Sequence, residues 1–229
     1  MALALAATMM TVKIRPCLTY RNAVGRERID THFHKKDHAY DCLALDLNAV
    51  DKNPELAVYV NKGIDYLVDF AQDDLEGFVA STDIPTAQSY FNAHIGGRTY
   101  VLQLVSRMML GRKKGRMIYI SSTAAERANR GQGFYAAAKR AVEALYNNLG
   151  IELAAKGVTA AILRPGYVDA GRGKRYMADQ NRQTMPKIPL ARPLTVEEVT
   201  QAIMFLLSDG AVGFNATVLT LDGGLSSNK

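Results

Sequence analysis

The sequence predicts an α/β fold built on a doubly wound, mostly parallel sheet, and three observations predict it. Short apolar runs alternate with amphipathic stretches along the whole chain. The runs are apolar at nearly every position rather than at alternate ones, as strands covered by helices on both faces require. A capping box opens the last amphipathic stretch and fixes its direction. The 229 residues, 48% of them hydrophobic, suit one large domain, 1–229, with a substantial core.

Strands are expected at residues 11–14, 42–47, 64–70, 117–120, 158–163 and 217–221. The helix expected at 85–110 contains Gly96 and Gly97. Each glycine costs about 1 kcal/mol against alanine in a helix interior, so a kink or close packing is expected there. A second long helix runs over 133–156, with Gly157 as its stop. Thr195 and Glu198 make the capping box of a third, which extends through Leu207. Residues 169–194 mix Gly, Lys, Arg, Tyr, Met and Pro. A segment of that length outside the sheet reads either as a lid over a site or as a surface excursion.

Lys and Arg number 28 against 22 Asp and Glu, a net charge of +6. That balance favours acidic partners: phosphorylated cofactors, coenzyme A, acidic carrier proteins or nucleic acid. The densest cluster, Arg112, Lys113, Lys114 and Arg116, lacks interleaved aromatics and reads as a solvated connection, so no nucleic-acid partner is expected. No apolar run approaches the roughly 20 residues of a membrane span, so no membrane partner is expected either. Residues 2–7 look like the apolar part of a signal peptide but are short and lack a basic leader. Cys17 and Cys42 are too few for a disulfide framework, which points to a reducing, cytoplasmic setting. His34 and His38 are one helical turn apart with His32 nearby, but no convincing fourth ligand accompanies them, and a solvated face is expected rather than a metal.

Tyr135 and Lys139 lie four apart near the start of a helix, which puts both on one face. A free tyrosine has a pKa near 10, and an adjacent ammonium favours the phenolate, so the pair suits a proton donor and acceptor. Alone, the spacing is common on ordinary helices. Its context is more specific: the strand at 117–120 ends at Ser121 and Ser122, thirteen residues before Tyr135. The carboxyl ends of strands are where open α/β sheets build sites. A serine hydroxyl there can hydrogen-bond a carbonyl that the tyrosine protonates.

With these residues in view, the chain resembles the short-chain dehydrogenase/reductase family, and within it the bacterial 3-oxoacyl-carrier-protein reductases. The resemblance runs from about residue 2 to the end, through residues 64–68, Gly115 to Ile118, Ser121-Ser122, Tyr135 with Lys139, Arg164-Pro165-Gly166 and Asp222-Gly223-Gly224. It implies a Rossmann-like fold and NADPH-dependent reduction of a 3-oxoacyl thioester. Ser122 would position the carbonyl and Tyr135 would be the acid and base. Lys139 would lower the pKa of Tyr135 and hold the nicotinamide ribose. Pro165, Gly166 and Val168 would touch the carboxamide of nicotinamide, Asp46 would contact adenine, and Arg21 would suit the 2′-phosphate of NADP. Lys113 and Lys156 match basic positions facing an acyl carrier protein. The helices at 85–110 and 134–156 match the surfaces through which family members assemble into tetramers.

The same comparison marks departures. Residues 11–20 match the family's second strand, so the usual first strand and its glycine-rich turn have no counterpart. Asp69-Phe70-Ala71-Gln72 stands where the family has Asn-Asn-Ala-Gly, placing bulk where adenosine would lie. His94 occupies the place of an asparagine whose main-chain carbonyl supports a relay water, and is read either as a new acid or base or as a structural residue. Two functions follow: a reductase acting on its own, or a catalytically impaired partner subunit of a homo- or hetero-oligomer that does not bind cofactor alone. A third reading is that Met1 is an internal methionine of a longer chain.

Overall fold

Parallel strands carry the fold, but they form two sheets. The computed structural model describes residues 1–33, 39–171, 173–174, 177 and 188–227. Among these, β1 (Cys17–Tyr20) pairs with β2 (Asp41–Ala44), with Leu18 opposite Cys42. A second sheet has the order β3 (Tyr66–Asp69), β4 (Gly115–Ile120), β5 (Val158–Pro165), β6 (Thr217–Leu221). Among the described residues β1 and β3 are both edge strands, and no ladder bridges the break between the two sheets. Packing crosses that break on both faces. Cys17 and Leu43 join Leu67 and Met117 in one core, while Ile14 packs with Val68 and Ile118 in the other.

The helices cover both faces, as the uniformly apolar strands require. On one face α3 (Pro54–Asn61), α5 (Arg98–Arg112) and α6 (Gly133–Leu153) contribute Leu56, Val105, Val142 and Tyr146 to the core. On the other, α1 (Ala2–Thr11) and α7 (Val196–Leu207) contribute Leu5, Met9, Val199 and Ile203. α2 (Ala23–His32) closes a smaller cluster of Ala6, Leu18 and Ile29 beside β1. The expected capping box is formed: Thr195 Oγ1 accepts from the Glu198 amide at 3.1 Å, and Glu198 accepts from the Thr195 amide at 2.8 Å.

The strand expected at 11–14 is not formed. Thr11 ends α1, Lys13 turns the chain with a left-handed φ of 62°, and Pro16 has no N–H for a ladder, so β1 begins only at Cys17. The helix expected at 85–110 is formed in three parts: α4 (Ile84–Phe91), a wide π-type turn over Asn92–Gly97, and α5. The glycines belong to that turn. A Cβ at Gly97 would lie 1.9 Å from the Leu47 carbonyl oxygen beyond β2, so only glycine permits this approach. α6 ends in a tight turn to Lys156, and Gly157 stops it with φ 77°.

Candidate active site

The carboxyl end of β4, the first two turns of α6 and the end of β5 converge on one place. Lys139 is 3% exposed, and its Nζ donates to the Ile120 carbonyl at 2.7 Å. That nitrogen lies 5.7 Å from the Tyr135 ring centroid and 4.9 Å from that of Tyr119. Ser122, two residues beyond Ile120, caps the following turn by accepting from the Ala124 amide at 3.2 Å. The structure therefore brings Tyr135 and Lys139 together at the strand end that bears Ser122.

Pro165 is the last residue of β5, and the Gly166 amide donates to the Leu221 carbonyl at 2.9 Å. A Cβ on Gly166 would meet the Asp222 Cα at 3.0 Å, which explains the glycine by close approach. Val168 is buried and bridges to Leu194. Asp46 follows β2 and accepts from the Asn48 amide at 3.0 Å. The lid reading of 169–194 falls largely on 172, 175–176 and 178–187, and the metal reading on His34 and His38; all lie outside the described residues. Among the described residues no cluster of metal-ligating side chains occurs.

Arg21 lies beyond β1, where Nη1 meets the Asp73 carboxylate at 2.5 Å. Asp73 follows β3 and is located by its backbone: its amide donates to His94 Nε2 at 3.3 Å and its carbonyl accepts from the Tyr90 hydroxyl at 3.0 Å. An ion pair thus spans the carboxyl ends of the two sheets. Phe70 packs into the core with Ile118 and Ile120, while Gln72 Nε2 donates to the Tyr90 hydroxyl at 2.6 Å.

His94 turns toward Asp73 and lies beside Tyr90, with ring centroids 4.5 Å apart and planes tilted by 58°. As acceptor at Nε2 its neutral ring carries the proton on Nδ1, which is buried without a hydrogen-bond partner among the described residues. Its carbonyl accepts from Arg98 Nη1. Burial, then the nearby Arg98 guanidinium, push the imidazole pKa down to about 4. The unfolded chain therefore takes up a proton near pH 6.5 that the fold refuses, so stability is full above that pH and falls between about 6.5 and 4, by roughly 3 kcal/mol. Urea midpoints at pH 7 and pH 5 check this: His94→Gln is expected to flatten the difference relative to wild type.

Sequence reasoning missed the polar groups that surround these residues. Arg98 is 2% exposed and pairs with Asp69, Nε to Oδ2 2.8 Å. Glu143 and Arg164 are equally buried and pair bidentately. Glu143 lies one turn after Lys139 on α6, a spacing visible in the sequence, but its partner is set by topology.

Lys113 and Lys156 are exposed at the opposite end of the sheet, where β4 and β5 begin. The Gly157 Cα carries the chain past the Lys113 backbone, where a Cβ would approach that carbonyl oxygen to 2.4 Å, so the two lysines share one edge. Along the six residues of β4 that edge lies about 20 Å from Ser122.

Fold and site together define a Rossmann-like α/β chain bearing a serine, a tyrosine and a lysine at the carboxyl end of its sheet. A model of the family described as enoyl-(acyl carrier protein) reductase matches residues 1–226. The chain is 30% identical over 169 residues to the 3-oxoacyl-[acyl-carrier-protein] reductase FabG of Buchnera aphidicola subsp. Baizongia pistaciae, covering 73% of this chain and 69% of that protein. It is also 30% identical over 186 residues to the 3-oxoacyl-[acyl-carrier-protein] reductase MabA of Mycobacterium tuberculosis, covering 81% and 75%. The fold matches a gluconate 5-dehydrogenase from Burkholderia cenocepacia in complex with NADP and tartrate, with TM-score 0.86 and 25% identity over 99% of this chain and 91% of that one. The chain belongs to the short-chain dehydrogenase/reductase family, a family of oxidoreductases. Among the described residues no helix is long and apolar enough to cross a membrane.

Proposed function

We propose that this chain reduces the keto group of a 3-oxoacyl thioester with NADPH. The observation that carries the reading is Lys139, buried and fixed to the Ile120 carbonyl beside the Tyr135 ring, at the strand end that presents Ser122. The donor set suits the reactive end of a nicotinamide cofactor: a phenol and an ammonium lie together on α6, and a hydroxyl follows the strand end whose Ile120 carbonyl the ammonium holds. When bound, the cofactor supplies the hydride. The Ser122 hydroxyl donates to the ketone oxygen and orients it. Tyr135 delivers its phenolic proton to that oxygen as charge develops there. The Lys139 ammonium stabilises the phenolate left behind, which lowers the barrier to that transfer.

The adenosine end is less open. Arg21, the residue for the 2′-phosphate, is already engaged by Asp73. That engagement favours a second reading, a catalytically impaired partner subunit of a homo- or hetero-oligomer, assembled through α4, α5 and α6, that does not bind cofactor alone. Lys113 and Lys156 offer an acidic carrier protein a basic edge. Free Cys17 and Cys42 accord with a cytoplasmic setting.

Calorimetry with NADPH and NADH, on the purified chain alone and mixed with a family reductase from the same genome, tests both readings. NADPH binding by the lone chain, with loss of NADPH absorbance on adding acetoacetyl-coenzyme A, supports the reductase. Binding that appears only in the mixture supports the partner subunit. No binding in either state overturns both.

A further inference from the structure

Ser122 is useful to the chemistry only while the short loop that bears it stays registered against α6, and the groups flanking that loop are charged and buried. Ser121 Oγ donates to Glu143 Oε1 at 2.6 Å. Arg164 grips the same carboxylate with Nε at 3.0 Å and Nη2 at 2.8 Å, and its Nη1 reaches Glu126 on the far side of Ser122. Arg140 adds a contact to Glu143 from the surface at 3.0 Å. Ser121, Glu143 and Arg164 are each no more than 4% exposed. Burial pushes the Glu143 carboxyl up, yet the hydrogen bonds from Arg164 and Ser121 outweigh it and hold the group below its usual range.

The placement of these contacts is specific. Glu143 follows Lys139 by one helical turn, and the two grip adjacent residues of one strand end: Lys139 the Ile120 carbonyl, Glu143 the Ser121 hydroxyl. Arg164 immediately precedes Pro165 and Gly166, the turn assigned to the nicotinamide carboxamide. The network therefore ties the Ser122 loop, the helix of Tyr135 and Lys139, and the end of β5 to one another. Apolar residues of equal volume hold a core at least as well as a buried ion pair does, so its use here points to geometry rather than to stability.

We propose that Ser121, Glu143 and Arg164 are positioning residues, a buried clamp that sets the Ser122 hydroxyl against Tyr135 for proton transfer to the substrate carbonyl. The inference rests on the reductase reading. None of the three touches the reacting atoms, so their effect falls on the chemical step and not on substrate affinity.

Ser121→Ala removes one hydroxyl and leaves Arg164 on both Glu143 oxygens, so the fold survives it. Steady-state kinetics with NADPH and acetoacetyl-coenzyme A are expected to show kcat lowered about tenfold, since small misplacements of a reacting group are costly. KM stays within about twofold and the pH profile is unmoved, because no titrating group of the reaction changes. Glu143→Gln, which keeps volume and acceptor but weakens the grip, lowers kcat similarly, and the double variant loses no more than the worse single one. Wild-type turnover matched by Ser121→Ala within twofold overturns the clamp alone. Independent, multiplying losses in the double variant overturn it too. A wild type that turns over no 3-oxoacyl thioester overturns the reductase reading itself.

Discussion

Tyr135→Phe is expected to lower kcat for 3-oxoacyl reduction by roughly a hundred- to ten-thousandfold, the range removed with a positioned proton donor. The substitution deletes one oxygen and retains the ring that faces the Lys139 ammonium 5.7 Å away. Packing is preserved, so melting temperature and KM are expected to stay near wild type while kcat collapses. That split identifies a group acting in the transition state and not in substrate binding. Lys139→Met is expected to be worse in a different way. It strips the Ile120 carbonyl of its donor and removes the cation beside Tyr119, so stability falls along with turnover. Stopped-flow single turnovers on the two variants, with thermal melts alongside, separate lost chemistry from lost fold. A Tyr135→Phe enzyme within tenfold of wild type would remove the phenol from the reaction.

The neighbourhood of Ser122, Tyr135 and Lys139 was legible because its signals are local or nearly so. Tyr135 and Lys139 are one helical turn apart, and Ser122 follows a strand whose uniform apolarity marks it as buried. The Thr195 cap was legible for the same reason, since both partners lie within four residues. Gly96 and Gly97 signalled irregularity, although only the structure shows the Leu47 carbonyl as its cause. The pattern at 11–14 misled because it does not register that a helix already runs through Thr11 or that Pro16 delays the strand. The buried ion pairs were invisible. Glu143 and Arg164 are 21 residues apart, and Arg98 and Asp69 are 29 apart. Side chains so distant meet only because parallel strands and crossover helices bring them together, and residue type alone predicts them at the surface. Arg21 shows a further non-local contact. Its pairing with Asp73, which follows β3 of the other sheet, joins residues 52 apart in sequence.

Arg98→Met is expected to destabilise the fold by about 3–5 kcal/mol, the cost of breaking a buried pair and leaving one charge behind. For a chain of this size that lowers the melting temperature by about 6–20 °C. The guanidinium is almost fully used: Nε holds the Asp69 carboxylate at 2.8 Å, Nη1 the His94 carbonyl and Nη2 the Ala71 carbonyl. Its face lies 5.5 Å from the Tyr119 ring centroid. The Asp69 side chain is itself 90% buried, and with Arg98 gone its partners among the described residues are the Tyr146 hydroxyl, 3.1 Å away, and the Ala71 amide, also at 3.1 Å. Two carbonyls lose their donor at the same time. Pairing the change with Asp69→Asn removes the stranded charge, and the double variant is expected to regain about 2 kcal/mol over Arg98→Met alone, a non-additivity typical of residues in direct contact. Urea denaturation of wild type, both single variants and the double variant measures that coupling. Equal stability of Arg98→Met and the double variant would mean that Asp69 had become neutral or solvated without its partner. The wide turn at residues 92–97 would then be held by its glycines and by α4, and not by the cation beneath it.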